Sequence, residues 1–153
     1  MLFREHQLST VNFLAPGKPM MELIENQVYL AQQEYAKVIG RSEGLLAVCE
    51  AMHYALVALH VQIQTAAAYE CLGKRTEARN CLKRALQIAL PDQFYLPFVE
   101  NYEYLEELLQ REIQTADAAE HVFLTKVTEL GKNCQKRYGA LRKTHMFPKI
   151  AAG

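Results

Sequence analysis

The stretch that decides the fold is Ala66-Ala-Ala-Tyr-Glu-Cys-Leu-Gly73-Lys-Arg-Thr-Glu-Ala-Arg-Asn-Cys-Leu-Lys-Arg-Ala-Leu-Gln-Ile-Ala-Leu-Pro91. After Gly73, small and apolar residues fall at Ala78, Cys81, Leu82, Ala85, Leu86 and Ala89. That three-four rhythm marks one face of a helix. Glu77 stands in its first turn, where a carboxylate complements the helix dipole. Pro91 ends it, because proline cannot continue a helical hydrogen-bond ladder. Ahead of Gly73, Ile63, Ala66, Ala67 and Tyr69 carry the same rhythm. Gly73 itself adopts a left-handed conformation at little steric cost and suits a chain reversal. The stretch therefore reads as two antiparallel helices joined by a tight turn.

The spacing within the pair is that of a tetratricopeptide repeat. Ala66 and Tyr69 supply small then large on the first helix, Gly73 the turn, and Ala78, Leu82 and Ala85 small-large-small on the second. The alanines let the helices approach, and Tyr69 and Leu82 fill the space between them. The best match spans about residues 59–91. One such pair cannot bury its own apolar faces, so its neighbours must stack on it. The expected fold is all-α: antiparallel helical hairpins stacked as an irregular tetratricopeptide-like superhelix, one domain over residues 1–153.

Working outward, the period stays helical and no alternating strand pattern occurs. A short helix is predicted over Arg4 to Leu14. Pro19 suits the first turn of the next helix, whose apolar stripe reads Met20, Ile24, Val28, Ala31, Tyr35 and Val38. Gly40 is the expected stop, and Ser42 the expected cap of the helix that follows. That helix runs through Leu45, Cys49, Leu56, Leu59 and Ile63 to Gly73, as one element or as two with a kink. Beyond Pro91, the residues Phe98, Tyr102, Leu105, Leu109 and Ile113 mark another helix. Ala119, Phe123, Val127, Leu130 and Cys134 mark the last, which should fray before His145. Gly131 interrupts that stripe and should weaken the helix by about 1 kcal/mol relative to alanine.

Composition bounds the function. Of 153 residues, 50% are hydrophobic and 22% charged, and 17 basic residues balance 17 acidic ones. That is a folded domain rather than a disordered tail, and its zero net charge gives no field for nucleic acid or membrane. The start, Met-Leu-Phe-Arg-Glu-His, is not a secretory signal. No apolar run reaches the roughly 18 residues of a membrane span. Cys49, Cys71, Cys81 and Cys134 fit neither a zinc site nor a disulfide framework, and a reducing cytoplasm is expected. Between Asp92 and Glu120 there are eight acids and one base. Between Lys126 and Lys149 there are seven bases and one acid. Two solvated helix faces explain this. A sharper reading makes residues 139–153 a basic linker toward a DNA-binding neighbour.

Candidate chemistry is sparse. Cys49, His53 and His60 would share one face of a continuous helix, but His60 lies about 16 Å from Cys49 along it, too far to join a metal site. Glu103, Glu106 and Glu107 sit in an acidic helix where nothing raises a carboxyl pKa. No nucleophile-base arrangement is visible, so neither catalysis, metal nor cofactor is expected. The inner groove of a helical array is its usual binding surface. By register, the residues expected there are His53, His60, Ile63, Ala67 and Glu70, joined by Tyr95 and Tyr102. Tetratricopeptide proteins that clamp a terminal carboxylate use lysine and asparagine where Ile63 and Ala67 stand, so no such clamp is expected. A mostly apolar groove suits a small organic effector or an amphipathic helix. Ordinary core packing gives the same pattern at these positions.

The run Ala66 to Asp92, followed by Phe94-Tyr-Leu-Pro-Phe-Val-Glu-Asn101, resembles the segment ahead of the DNA-binding domain in large LuxR-type bacterial regulators of the MalT-like, ATP-binding kind. The resemblance covers Leu56 to Leu109. It extends neither to a Leu-Thr-x-Arg-Glu helix-turn-helix opening nor to a Gly-x-x-x-x-Gly-Lys-[Ser/Thr] phosphate loop, so it points to the sensor region alone. What it implies is a domain that binds an effector, or a protein or peptide partner, and relays that binding to an attached DNA-binding domain. It touches no DNA itself. The alternative is a stand-alone interaction scaffold, self-associating as a homodimer through its end helices.

Overall fold

A computed structural model describes the backbone of residues 17–144 and the side chains of residues 18–138. The chain is all-α. Its described helices are α1 (Gly17–Ala31), α2 (Tyr35–Met52), α3 (Ala55–Cys71), α4 (Arg75–Ala89), α5 (Leu96–Glu100), α6 (Tyr102–Ile113) and α7 (Ala118–Thr144). α1 packs on α2 and α2 on α3, and further along α5 packs on α6 and α6 on α7, as in stacked hairpins. Two compact units separate at the end of α4: Met1–Ile88 and Ala89–Gly153. The helix expected over Arg4 to Leu14 lies outside the described residues. So do residues 145–153 of the expected basic linker, whereas residues 139–144 continue α7.

Four turns share one design. Gln33, His53, Gly73 and Gln93 have φ of 63°, 58°, 79° and 57°, at an even spacing of 20 residues. Each of their N–H groups donates to the carbonyl three residues back, at 3.0–3.3 Å, and the next N–H donates to the carbonyl five back, at 2.8–3.1 Å. This is the Schellman arrangement, which satisfies carbonyls that a helix end would leave bare. Only Gly73 gives that position to a glycine.

Sequence reading therefore misplaced two joints. Gly40 does not stop a helix, and Ser42 caps none. Both lie inside α2, where the Ser42 hydroxyl donates to the Ile39 carbonyl at 2.8 Å. No atom lies within 4 Å of where a Cβ on Gly40 or Gly44 would stand, so α2 passes them on its open side. The chain instead reverses at Gln33. It reverses again at His53, which divides the long element expected up to Gly73 into α2 and α3.

The first unit is built around α3, on which α1 and α2 both pack while also touching each other. All residues from Val61 to Ala68 are buried, including Gln62, Gln64 and Thr65. Burying amides requires partners. Gln64 has them: its Nε2 donates to the Leu23 carbonyl at 3.0 Å and to Gln27 Oε1 at 2.8 Å, and its Oε1 accepts from Asn26 Nδ2 at 3.0 Å. That cluster turns Leu23, Asn26 and Leu30 of α1 inward. The expected core stripe of α1 faces outward instead, with Met20 50%, Ile24 59% and Val28 47% exposed. Leu23, Leu45 and Val61 form the apolar contact beside the amide cluster. On the surface, Arg41 of α2 reaches Glu25 at 2.7 Å and Glu22 at 3.7 Å of α1. α4 buries Ala78, Cys81, Leu82, Ala85, Leu86 and Ala89, the face its sequence predicts.

In the second unit, α5, α6 and α7 pack pairwise. Phe98, Tyr102, Leu105, Leu108 and Leu109 meet Phe123, Leu124 and Val127 in its buried set. The expected single helix from Phe98 to Ile113 is broken at Asn101, which separates α5 from α6. Gly131 is not a weakness. A Cβ there would stand 2.4, 2.6 and 2.8 Å from ring atoms of Tyr102, so the missing side chain is what lets that ring lie against α7.

Two predictions follow from these constraints. Gly131→Ala, which would stabilise an exposed helix by about 1 kcal/mol, should here destabilise by about 1–3 kcal/mol through overpacking. Denaturant melts of the single variant, and of the double variant with Tyr102→Leu, measure it; the pair should be strongly non-additive. Gln33→Gly should stabilise by about 0.5–1 kcal/mol, because an L-residue in the left-handed region is strained and glycine is not. Gly73→Gln should cost a similar amount, and both should appear as shifts of the urea midpoint at constant slope.

Candidate functional groove

After the turn at Gln93 the chain runs Phe94-Tyr95-Leu96-Pro97-Phe98. Pro97 opens α5, where its missing N–H has no helical partner to lose. Tyr95 and Phe98, three residues apart, turn to the same side. Tyr95 stacks on Phe123 with centroids 4.8 Å apart and a 29° interplanar angle, and Phe98 meets the same ring edge-on at 5.2 Å and 78°. The Tyr95 hydroxyl donates to Gln93 Oε1, fixing the ring from its other end. With those two rings committed inward, Phe94 and Leu96 are left exposed, Leu96 to 65%.

On the opposite wall α7 presents Leu130, Asn133, Cys134 and Arg137, the i, i+3, i+4, i+7 positions of one face. Between the walls lies an open groove of about 590 Å³. Pro97 and Val99 complete its apolar lining, and among the described residues that line it Arg137 is the one that is charged. A second hollow of about 460 Å³ shares Val99 and Cys134 with the first and is lined by Glu100, Glu103, Gln135 and Tyr138. Such volumes match small-molecule sites, which are mostly apolar with a few placed polar groups.

The groove residues expected from sequence are dispersed. Tyr95 lines the groove just described. Tyr102 touches the second hollow but is itself buried, and that burial pushes its phenol up, with the Glu106 carboxylate adding to the shift. Ile63 and Ala67 are wholly buried in the first unit and present no surface. His60 and Glu70 are half-buried, each with a partner of its own. His53 is not on a helix face with Cys49 and His60: it is the left-handed residue closing α2. There it lines shallow hollows with Tyr54 and Ala55. Among the described residues no group of three or more His, Cys, Asp or Glu is placed to hold a metal ion, and no helix is long and apolar enough to cross a membrane.

Phe94, Leu96, Pro97, Asn133, Cys134 and Arg137 were missed as groove residues. Two signals could have found them. The aromatic run at 94–98 carries more apolar side chains than one short helix can bury, and α7 continues an apolar row into a stretch rich in bases. No family model, no curated protein and no solved structure matches the chain.

The cysteines give a test of this geometry. Cys49 and Cys81 are buried and burial pushes both thiols up, whereas Cys71 and Cys134 are exposed. Only thiolate reacts with alkylating agents. Mass mapping of a short iodoacetamide pulse at pH 8 should therefore find Cys71 and Cys134 labelled at least about tenfold faster than Cys49 and Cys81, until denaturant levels all four.

Proposed function

We propose that the chain is the effector-sensing helical region of a LuxR-type transcriptional regulator. In this reading it binds a small molecule or a peptide and relays that event to a DNA-binding domain elsewhere in the protein. It catalyses nothing itself, and it works in the cytoplasm with its thiols reduced. The observation that carries the reading is the open apolar groove between Phe94–Val99 and the face of α7 from Leu130 to Arg137. Phe94 to Val99 also belong to the stretch on which the family resemblance rests. Support for a tetratricopeptide-like pair comes from α3 and α4: Ala66, Ala78, Leu82 and Ala85 are buried, Tyr69 is half-buried, and Gly73 makes the left-handed turn.

The relay would act by population shift. A ligand that prefers one packing of α5 against α7 draws the domain toward it by its difference in affinity for the two packings, and by no more than that. Such a shift would act on α7 along its face from Leu130 to Arg137.

A second reading, the interaction scaffold, is favoured by the outward row Met20, Ile24 and Val28 on α1. It is an apolar helix face of the kind that meets another helix.

A thermal-shift screen with metabolites and short peptides separates the two. For the sensor, one ligand at a hundred times its Kd should stabilise the chain by about 2.7 kcal/mol. A screen with no stabilising ligand, together with self-association in sedimentation that Ile24→Lys removes, would replace the sensor with the scaffold.

A further inference from the structure

We infer that the groove between α5 and α7 selects an amphiphilic monoanion: a molecule with an apolar aliphatic or aryl body and a single carboxylate. This deepens the sensor reading and rests on that groove being the effector site. The body is specified by the walls. Phe94, Leu96, Pro97, Val99 and Leu130 offer hydrocarbon and ring surface in a hollow of about 590 Å³. Three of these, Phe94, Leu96 and Val99, stay exposed or half-exposed although the neighbouring rings of Tyr95 and Phe98 found stacking partners within the unit. Covering such a surface is favourable in proportion to the apolar area removed from water.

The head is specified by Arg137 and Asn133. They lie four residues apart on α7, so their side chains stand one above the other on one face. A guanidinium offers a planar fork that matches the two oxygens of a carboxylate, and the amide adds a neutral donor one turn away. Among the described residues no acid lines this groove beside Arg137. Glu100 and Glu103 line instead the second hollow, which shares Val99 and Cys134 with the first. That placement limits the ligand to one negative end. A second anionic group reaching past Val99 would meet like charge, and a cationic amphiphile placed in the first groove would meet Arg137.

Octanoate, 1-octanol and octylamine, at concentrations below self-association, share one body and differ in the head. Titration calorimetry on the whole chain should give octanoate a Kd at least about tenfold below that of the alcohol, the amine binding weakest. Arg137→Gln should erase the preference, bringing octanoate to the level of octanol. Leu96→Ser, a neutral change at an exposed position, should weaken all three without moving the melting temperature. If octanol or octylamine binds as tightly as octanoate, or if Arg137→Gln keeps the preference, the monoanion assignment is overturned while the groove stays a ligand site. If none of the three binds and an unrelated effector from the metabolite screen binds with an affinity that Leu96→Ser lowers at least about tenfold, the assignment is likewise overturned and the sensor reading stands.

Discussion

The left-handed helix end is the constraint on which the rest of this structure depends. A helix leaves its last carbonyls bare, and a short connection between antiparallel helices has too few residues to bring in outside donors. At Gln33, His53, Gly73 and Gln93 the same pair of backbone hydrogen bonds solves that problem within the chain. Their even spacing sets helices of 18, 17 and 15 residues for α2 to α4. The solution carries a conformational cost at three of the four positions, where an L-residue sits in a region that disfavours its Cβ. Those residues hold it because the helices on both sides are anchored by packing.

Within the first unit, helix faces are chosen by polar satisfaction as much as by hydrophobicity. α1 has two faces able to enter a core: Met20-Ile24-Val28, which is the more apolar, and Leu23-Asn26-Leu30. The second wins because Gln64, buried in α3, needs acceptors and a donor, and Asn26, Gln27 and the Leu23 carbonyl supply them. A buried amide without partners would cost about 1–3 kcal/mol, comparable to what burying one more aliphatic side chain brings. The result is an apolar row left facing outward.

The second unit works the other way, by omission. Gly131 clears room for the Tyr102 ring, and Phe123 gathers Tyr95 and Phe98. With its aromatic demand met, the unit leaves Phe94 and Leu96 exposed, opposite the face of α7 from Leu130 to Arg137. The groove is thus a by-product of core packing with Arg137 at its edge, and the proposed sensing role uses that surface.

How much of this the residues disclosed can be seen element by element. Periodicity located α4 and its buried face residue by residue, because alanine, leucine and cysteine recur there at helical spacing with no competing face. It located the turn at Gly73 because glycine is the usual left-handed residue. It missed Gln33 and His53 because glutamine and histidine carry no such signal, and it stopped α2 at Gly40 because an exposed helical glycine looks like a breaker. Sequence by itself determined the all-helical class, the α3–α4 reversal and the core of α4: these rest on local propensity and on apolar spacing along one helix. Only the tertiary structure decided which face of α1 turns inward, why position 131 must lack a side chain, and which residues line a groove. Each of those depends on atoms of another helix, Gln64 for α1, Tyr102 for Gly131 and α7 for Leu96, and no periodicity along a single segment records what stands opposite it.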